Sequence, residues 1–263
     1  MEIFYFAVGL ALLLVGASSI VNNSLALANK VKISPLIIGI TAVSIGTSLP
    51  EIAIALFGGI EKTTDIALGN IIGSNIANIG LVFGISILLN PLKIGRFKTQ
   101  RNSIINGGLS LLFFIILVFN SLNIAFGTLF LILGALLIIH NVKQGFVGAA
   151  YEDKKMLKNI KTTDKSLFKI ILVFIFSLLL IVIGSRLTIN YGLLLADLFQ
   201  VPSVIIGITA IAIGTSLPEL AISVFGIIKK EDKLVVGNIL GSNIFNILIG
   251  GGVLGIFTAG GLS

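Results

Sequence analysis

Cysteine is absent from this chain of 263 residues, and charged residues make up only 11% of it. The lack of cysteine excludes disulfides and thiolate metal sites. Soluble domains carry about 25% charged residues, so the low charge and the hydrophobic content of 56% exclude an ordinary soluble domain. His140 is the single histidine. Because neither a Ser/His nor a paired-Asp arrangement is present, we do not expect an enzyme.

Long runs without charge dominate the chain. Residues 3–29, 66–92, 102–142 and 234–263 contain no Lys, Arg, Asp or Glu, and each exceeds the ~20 residues with which a helix crosses a bilayer. Helices satisfy their own backbone hydrogen bonds in lipid, so the sequence predicts an all-α membrane protein. Eight spanning helices are predicted, at residues 3–29, 34–60, 65–91, 103–120, 123–142, 168–198, 202–228 and 233–258.

A lysine-rich segment divides the chain into two halves. The turn formers Asn120 to Asn123 split the longest apolar run into two helices. The first half, residues 1–142, therefore has five helices. Residues 143–167 hold six lysines and three acids and predict a solvated cytoplasmic loop. The second half, residues 168–263, has three helices.

Basic residues predict the orientation, because short cytoplasmic loops are enriched in Lys and Arg. With the amino terminus outside, sixteen of the eighteen basic residues fall in inner loops. Lys62 then lies in an outer loop, and Arg186 lies within a span. We therefore predict that the amino terminus lies outside. The protein is predicted to be a multi-pass protein of the cell membrane. The net charge of +7 is interpreted as loop lysines beside the lipid bilayer, with no nucleic-acid partner.

One stretch of the sequence occurs twice, 168 residues apart. Residues 37–51 and 205–219 are identical at thirteen of fifteen positions, and residues 69–79 and 237–247 at nine of eleven. Equivalent points of the two repeats, which cover about 34–91 and 202–258, are separated by five spans, so the repeats have opposite orientations. Inverted repeats are typical of secondary transporters, whose substrate sites lie at the midplane where the repeats meet.

Each repeat places one carboxylate inside an apolar span, at Glu51 and Glu219. A carboxylate at membrane depth is unfavourable unless it is paired or hydrated, so these residues predict a functional site. No basic residue is placed to pair with either one, and the expected counter-charge is a bound cation or a proton. Pro50 and Pro218 each remove a backbone donor, which frees carbonyl oxygens of the preceding turn as further candidate ligands.

Hydroxyl and amide side chains accompany the two glutamates. Spacings of three and four residues place them on common helix faces. The set comprises Thr47, Ser48, Asn70, Ser74 and Asn78 in the first repeat and Thr215, Ser216, Asn238, Ser242 and Asn246 in the second. All of these groups are oxygen ligands, and the set lacks imidazole and thiolate. Such a set favours Ca²⁺ or Na⁺ over a transition metal.

The sequence G-T-S-L-P-E followed by G-N-x-x-G-S-N-x-x-N, present in both repeats, resembles the repeats of the sodium/calcium exchanger family, within the cation/calcium exchanger superfamily. The resemblance implies an inverted-repeat fold of ten helices, eight of them present here, and exchange of Ca²⁺ for Na⁺ by alternating access. It implies a site in which Glu51 and Glu219 are the central metal ligands. The other implied ligands are Thr47, Ser48, Ser74, Asn78, Thr215, Ser216, Ser242 and Asn246, with the backbone carbonyls of Ser44 and Ala212 on Na⁺.

The asparagine pair departs from a common family pattern. The position of Asn246 is often Asp in the family, whereas both Asn78 and Asn246 are amides here. Two negative charges remain, which neutralise one Ca²⁺. Because potassium-dependent relatives tend to carry Asp there, the resemblance argues against a requirement for K⁺.

Several alternatives stay open at this point. Ca²⁺/H⁺ exchange is the leading one, because two carboxylates can equally bind and release protons. A cation channel and an inactive truncated remnant are alternatives of other classes. Counterparts of helices four and five are missing from the second half, so a partner chain or further carboxyl-terminal helices would complete the ten-helix fold. We expect no cofactor besides the transported Ca²⁺ and Na⁺.

Overall fold

A computed structural model describes residues 1–92, 96–119, 122–149, 166–198 and 203–258 of the chain. All regular structure within these ranges is helical. The helices are α1 (Glu2–Val31), α2 (Pro35–Thr47), α3 (Leu49–Ile60), α4 (Thr64–Leu89), α5 (Arg96–Val118), α6 (Ile124–Ala149), α7 (Leu167–Leu198), α8 (Ser203–Ile228) and α9 (Asp232–Phe257).

These helices have the length and apolarity of membrane spans. Six of them in the described part of the chain meet both criteria, and α2 with α3 forms a seventh span that bends by 46°. Helix α8 occupies the predicted span 202–228. The all-helical membrane fold is confirmed, while the count of eight spans and the outside amino terminus stay predictions.

Local signals explain several helix ends. Lys32 has a left-handed φ of 56° and ends α1. The hydroxyl of Ser34 accepts a hydrogen bond from the Leu36 amide (3.3 Å), and Pro35 stands at the first position of α2. Asn123 Oδ1 accepts from the amides of Ala125 (3.0 Å) and Phe126 (3.2 Å). The prediction that the run 102–142 contains two helices is therefore right.

One predicted boundary is wrong. The loop expected at 143–167 does not begin at residue 143, because α6 continues to Ala149. Arg101 of α5 donates to Asn141 Oδ1 (3.2 Å) and Gln144 Oε1 (2.5 Å) on this last part of α6. These bonds join the last turns of α6 to α5. Residues 150–165 lie outside the described residues.

Helices α1 and α7 pack backbone against backbone through glycine. A Cβ atom built on Gly9 would lie 2.7 Å from Leu187 Cβ and 3.0 Å from the Gly184 carbonyl oxygen. One on Gly184 would meet the Leu13 amide. Side chains larger than glycine do not fit at either position. Small residues at helix contacts are typical of membrane proteins, where close packing drives association.

The remaining helices enclose α9. Helix α2 crosses it where a Cβ on Gly39 would lie 2.6 Å from the Leu234 carbonyl oxygen. Helix α6 meets it where a Cβ on Gly255 would lie 2.8 Å from Gly127 Cα. In α9, 78% of the most apolar stretch is buried, whereas 33% of the corresponding stretch is buried in the repeat-related helix α4. The buried polar residues of the two repeats therefore meet around α9 and the inner face of α4.

Candidate functional site

In the first repeat, the helix breaks where the sequence places its chemistry. Helix α2 ends at Thr47, Ser48 has φ −81° and ψ 4°, and α3 begins at Leu49. Pro50 lacks an N–H and therefore fits the first turn of a new helix. This break puts Glu51 in the amino-terminal turn of α3, where the helix dipole favours negative charge.

In the second repeat, α8 continues through Pro218 without a break. The carbonyl of Gly214, one turn before the proline, accepts a hydrogen bond from the hydroxyl of Ser185 on α7 (3.3 Å). The position equivalent to Ser185 in the first repeat is Ala17, which has no hydroxyl. The carbonyl freed by Pro218 thus has a protein donor.

The two glutamates are fully buried, and none of their four carboxylate oxygens has a hydrogen-bond partner among the described residues. Ser74 lies beside Glu51, and Thr47 and Ser242 lie beside Glu219. Buried charges without a partner are strongly unfavourable. The two buried carboxylates therefore lack a positive counter-charge among the described residues.

Hydroxyl groups join the two repeats around the glutamates. Thr47 Oγ1 lies 3.2 Å from Ser242 Oγ, and the repeat-related pair, Thr215 Oγ1 and Ser74 Oγ, is 2.9 Å apart. Each contact joins one repeat to the other. A contact repeated with the roles of the two halves exchanged is the mark of a two-fold relation. The site is thus built by both repeats together.

Further buried oxygen atoms without partners belong to Ser48, Ser216, Asn78 and Asn246. Asn78 and Asn246 are fully buried, and each begins a π-helical segment, Asn78–Phe83 in α4 and Asn246–Gly251 in α9. Such segments occur frequently at functional sites. The structure therefore brings the predicted side-chain ligands of both repeats into one buried region.

The two predicted carbonyl ligands are placed differently. The Ser44 carbonyl accepts from the Ser48 amide (3.0 Å) and from Thr47 Oγ1 (3.2 Å). It is therefore an ordinary helical acceptor in this structure. Ala212 lies within α8, but its side chain is not among the described ones. The ligand role of all these residues stays a prediction.

Asn70 and Asn238 were recognised in the sequence as part of the polar stripe but were not chosen as ligands. Asn70 is buried, and its amide nitrogen and oxygen both lack a partner. Asn238 Oδ1 accepts a 3.4 Å hydrogen bond from Thr47, while its nitrogen has no partner. The four-residue spacing from Ser74 and Ser242 is the sequence signal that places both beside the site.

The donor set suits a hard cation. The unpartnered buried oxygens belong to carboxylate, hydroxyl and amide groups, and the described part of the chain has no group of three or more His, Cys, Asp and Glu that could hold a metal ion. Ca²⁺ is bound by about six to eight such oxygens. The unpartnered buried oxygens are therefore of the chemical type that binds Ca²⁺ or Na⁺.

Known proteins are similar to this chain in sequence and fold. A family described as "Sodium/calcium exchanger protein" matches residues 1–143 and 169–262. The putative antiporter CaxA of Alkalimonas amylolytica is 37% identical over 260 residues, which cover 97% of this chain and 79% of that protein. The sodium/calcium exchanger MaX1 of Methanosarcina acetivorans is 30% identical over 284 residues, covering 95% and 81%.

A solved structure agrees with these relatives. The sodium-calcium exchanger NCX_Mj, soaked with 2.5 mM Na⁺ and 0.1 mM Ca²⁺, superimposes with a TM-score of 0.80 at 29% identity. The match covers 97% of this chain and 82% of that one. The described helices thus have the all-helical transporter fold of that protein.

Proposed function

This chain belongs to the sodium/calcium exchanger family, and we propose that it is a secondary antiporter that exchanges Ca²⁺ for Na⁺ across the cell membrane. The observation that carries the proposal is the pair of buried glutamates without partners. Hydroxyl groups of Ser74, Thr47 and Ser242, which come from both repeats, lie beside them. A bound cation supplies the charge compensation that the protein does not.

Glu51 and Glu219 are the central ligands in this proposal. Their two charges neutralise one Ca²⁺, or several Na⁺ with a net positive remainder. The remaining ligands are the hydroxyls of Thr47, Ser48, Ser74, Thr215, Ser216 and Ser242, the amide oxygens of Asn78 and Asn246, and the carbonyls of Ser44 and Ala212. Because the same oxygens serve both ions, Ca²⁺ and Na⁺ compete, and competition for one site is what couples their movements.

The packing of α1 and α7 supports alternating access as the mechanism of the proposed exchange. These helices contact each other through Gly9 and Gly184 and flank the helices that carry the site. Movement of this pair across the site, as one unit, would open it to one side and then to the other.

Ca²⁺/H⁺ exchange is a second candidate, favoured by the same unpartnered carboxylates. A buried carboxylate without a cation becomes neutral by taking up a proton. Protons would then replace Na⁺ as the counter-transported ion.

Transport by the purified protein in sealed vesicles distinguishes the two. We expect uptake of radioactive Ca²⁺ into vesicles loaded with Na⁺, and loss of uptake when the Na⁺ gradient is removed at constant pH. Uptake should not require K⁺, since both asparagine positions are amides. Vesicles with Glu51→Gln protein are the matched control.

Uptake that follows a pH gradient and ignores Na⁺ would replace Na⁺ by H⁺ in the proposal. Ca²⁺ currents in single-channel steps would replace exchange by conduction. The absence of Ca²⁺ movement under every gradient would reject transport by this chain.

A further inference from the structure

Four asparagines form a reciprocal network at the contact between α4 and α9. Asn75 Nδ2 donates to the Asn243 carbonyl (3.3 Å), and Asn243 Nδ2 donates to the Asn75 carbonyl (3.4 Å). Asn78 Nδ2 donates to Asn243 Oδ1 (3.0 Å), and Asn246 Nδ2 donates to Asn75 Oδ1 (3.1 Å). Every bond has its repeat-related counterpart.

The network fixes which end of each amide faces which neighbour. A backbone carbonyl only accepts, so the amide group facing it must be the nitrogen. The Oδ1 atoms of Asn75 and Asn243 are then acceptors, and they require the nitrogens of Asn246 and Asn78. The oxygens of Asn246 and Asn78 consequently face the other way.

Those two oxygens are the ones left without a partner. Asn78 Oδ1 and Asn246 Oδ1 are buried and make no hydrogen bond within the described residues. A buried oxygen without a donor is unfavourable, and an amide that could turn would offer its nitrogen elsewhere. Here the turn would break the bond to Asn243 or Asn75.

We propose that Asn75 and Asn243 are positioning residues that hold the Asn78 and Asn246 amides with oxygen, not nitrogen, toward the cation. The proposal rests on the proposed function. An amide nitrogen carries positive hydrogens and would repel Ca²⁺ or Na⁺, so the orientation decides whether the amide is a ligand at all. Each ligand is oriented by a residue of the other repeat, so neither repeat forms its amide ligand alone.

A double-mutant cycle separates orientation from helix packing. Asn243→Ala removes the acceptor of Asn78, and we expect Ca²⁺ affinity to fall about tenfold, as for the loss of one well-placed interaction. Asn78→Asp has oxygen at both ends of the side chain and needs no orientation. In that background, Asn243→Ala should leave Ca²⁺ affinity unchanged or improve it, because it removes an oxygen facing a carboxylate.

The measurement is Ca²⁺ binding to the detergent-purified protein by titration calorimetry, which does not depend on transport. Asn141→Ala is the control, because it removes another buried interhelical bond, the one from Arg101 (3.2 Å). It should lower the melting temperature and leave Ca²⁺ affinity as in the unmodified chain. The melting temperature of every variant without ions reports whether it is folded.

Equal loss of Ca²⁺ affinity from Asn243→Ala in both backgrounds overturns the positioning role and makes the asparagines packing residues. If Asn243→Ala leaves Ca²⁺ affinity unchanged in the chain that keeps Asn78, the positioning role is overturned too. If the unmodified chain binds Ca²⁺ but does not transport it, only the proposed function fails. If it binds no Ca²⁺, both proposals fail.

Discussion

The two repeats carry nearly the same residues in different surroundings. A Cβ on Gly241 of α9 would lie 2.6 Å from the Ile40 carbonyl oxygen, whereas one on the repeat-related Gly73 of α4 would meet nothing within 4 Å. Gly237 and Gly69 differ in the same way. The same glycine is thus a close backbone contact in one repeat and open in the other. Identical residues in the two repeats therefore indicate that both repeats contribute to one site, but they do not indicate that both repeats are packed in the same way.

The helix that carries each glutamate differs as well. The same Thr-Ser-Leu-Pro-Glu residues form a 46° bend between α2 and α3 and a continuous helix in α8. Since the local sequence is the same, the difference comes from the neighbours. Ser185 provides a donor behind Pro218, while Ala17 provides none at the equivalent place.

The largest effect is expected at the glutamates, where the repeats should behave alike. Glu51→Gln and Glu219→Gln should each abolish Ca²⁺ uptake, because glutamine supplies no charge to a cation. Without ions, both variants should melt at an equal or higher temperature than the unmodified chain, since an unpaired buried carboxylate is removed. Ca²⁺ should no longer raise their melting temperature. Retained Ca²⁺ uptake in either variant would show that the cation site lies elsewhere in the protein.

The glycines should separate the repeats. Gly241→Ala should destabilise the protein by about 1–3 kcal/mol, because the methyl group overlaps the backbone of α2. Gly73→Ala should change stability by less than about 1 kcal/mol, since only helix propensity acts there. Thermal unfolding in detergent measures both. An equal loss in the two variants would mean that the open face of α4 is covered in the folded protein.

A smaller difference in stability between the repeats is expected at the carbonyl groups one turn before the prolines. Ser185→Ala removes the donor to the Gly214 carbonyl and should cost about 1 kcal/mol, which is typical of one buried hydrogen bond. Ser177→Ala, which removes a hydroxyl of the same helix α7 that is bonded to Ser19 of α1 (2.6 Å), is a control at a distance from the proline. A Ser185→Ala variant as stable as the unmodified chain would show that the continuous α8 does not depend on this bond.

The smallest effect is expected at the ends of the glutamate helices. Lys229 donates to Asn22 Oδ1 (2.6 Å) and to the Ser18 carbonyl (3.1 Å) on α1. The repeat-related Glu61 is exposed. Because Lys229 is partly exposed, Lys229→Met should cost less than about 1 kcal/mol, yet it should slow Ca²⁺ uptake by loosening α1. Glu61→Gln is the matched control and should change neither.

The lack of cysteine makes this contact directly testable. With no other thiol in the chain, a Ser18→Cys/Lys229→Cys pair joined by a flexible thiol-reactive cross-linker that contains a cleavable disulfide should block transport. Reduction of the cross-linker should restore transport. Uptake at the normal rate by the cross-linked protein would contradict a movement of α1 relative to α8.

Much of the fold followed from the sequence. Charge-free runs located the helices, the repeat offset paired them, and the isolated acids pointed to the buried site. The membership of the sodium/calcium exchanger family, inferred from the repeated residues, is confirmed.

Other features depend on contacts that periodicity does not encode. Apolar residues show that α4 and α9 are spans, but not that α9 alone is enclosed. Gln144 lies in the segment predicted as a loop, yet it is helical in the structure and accepts a hydrogen bond from Arg101 of the neighbouring helix. Asn75 and Asn243 lie off the polar stripe, so the sequence indicated a helix contact and gave no sign that this contact orients two neighbours.

The close approach of Gly9 and Gly184 has a consequence for the leakage of Na⁺ through the protein. Two helices whose backbones touch are constrained to move together. Under the proposed alternating access, such a unit would cover the site on one side of the membrane whenever it exposed the site on the other. A continuous path for Na⁺ through the membrane would then be prevented by geometry, and no timing between separate inner and outer barriers would be needed.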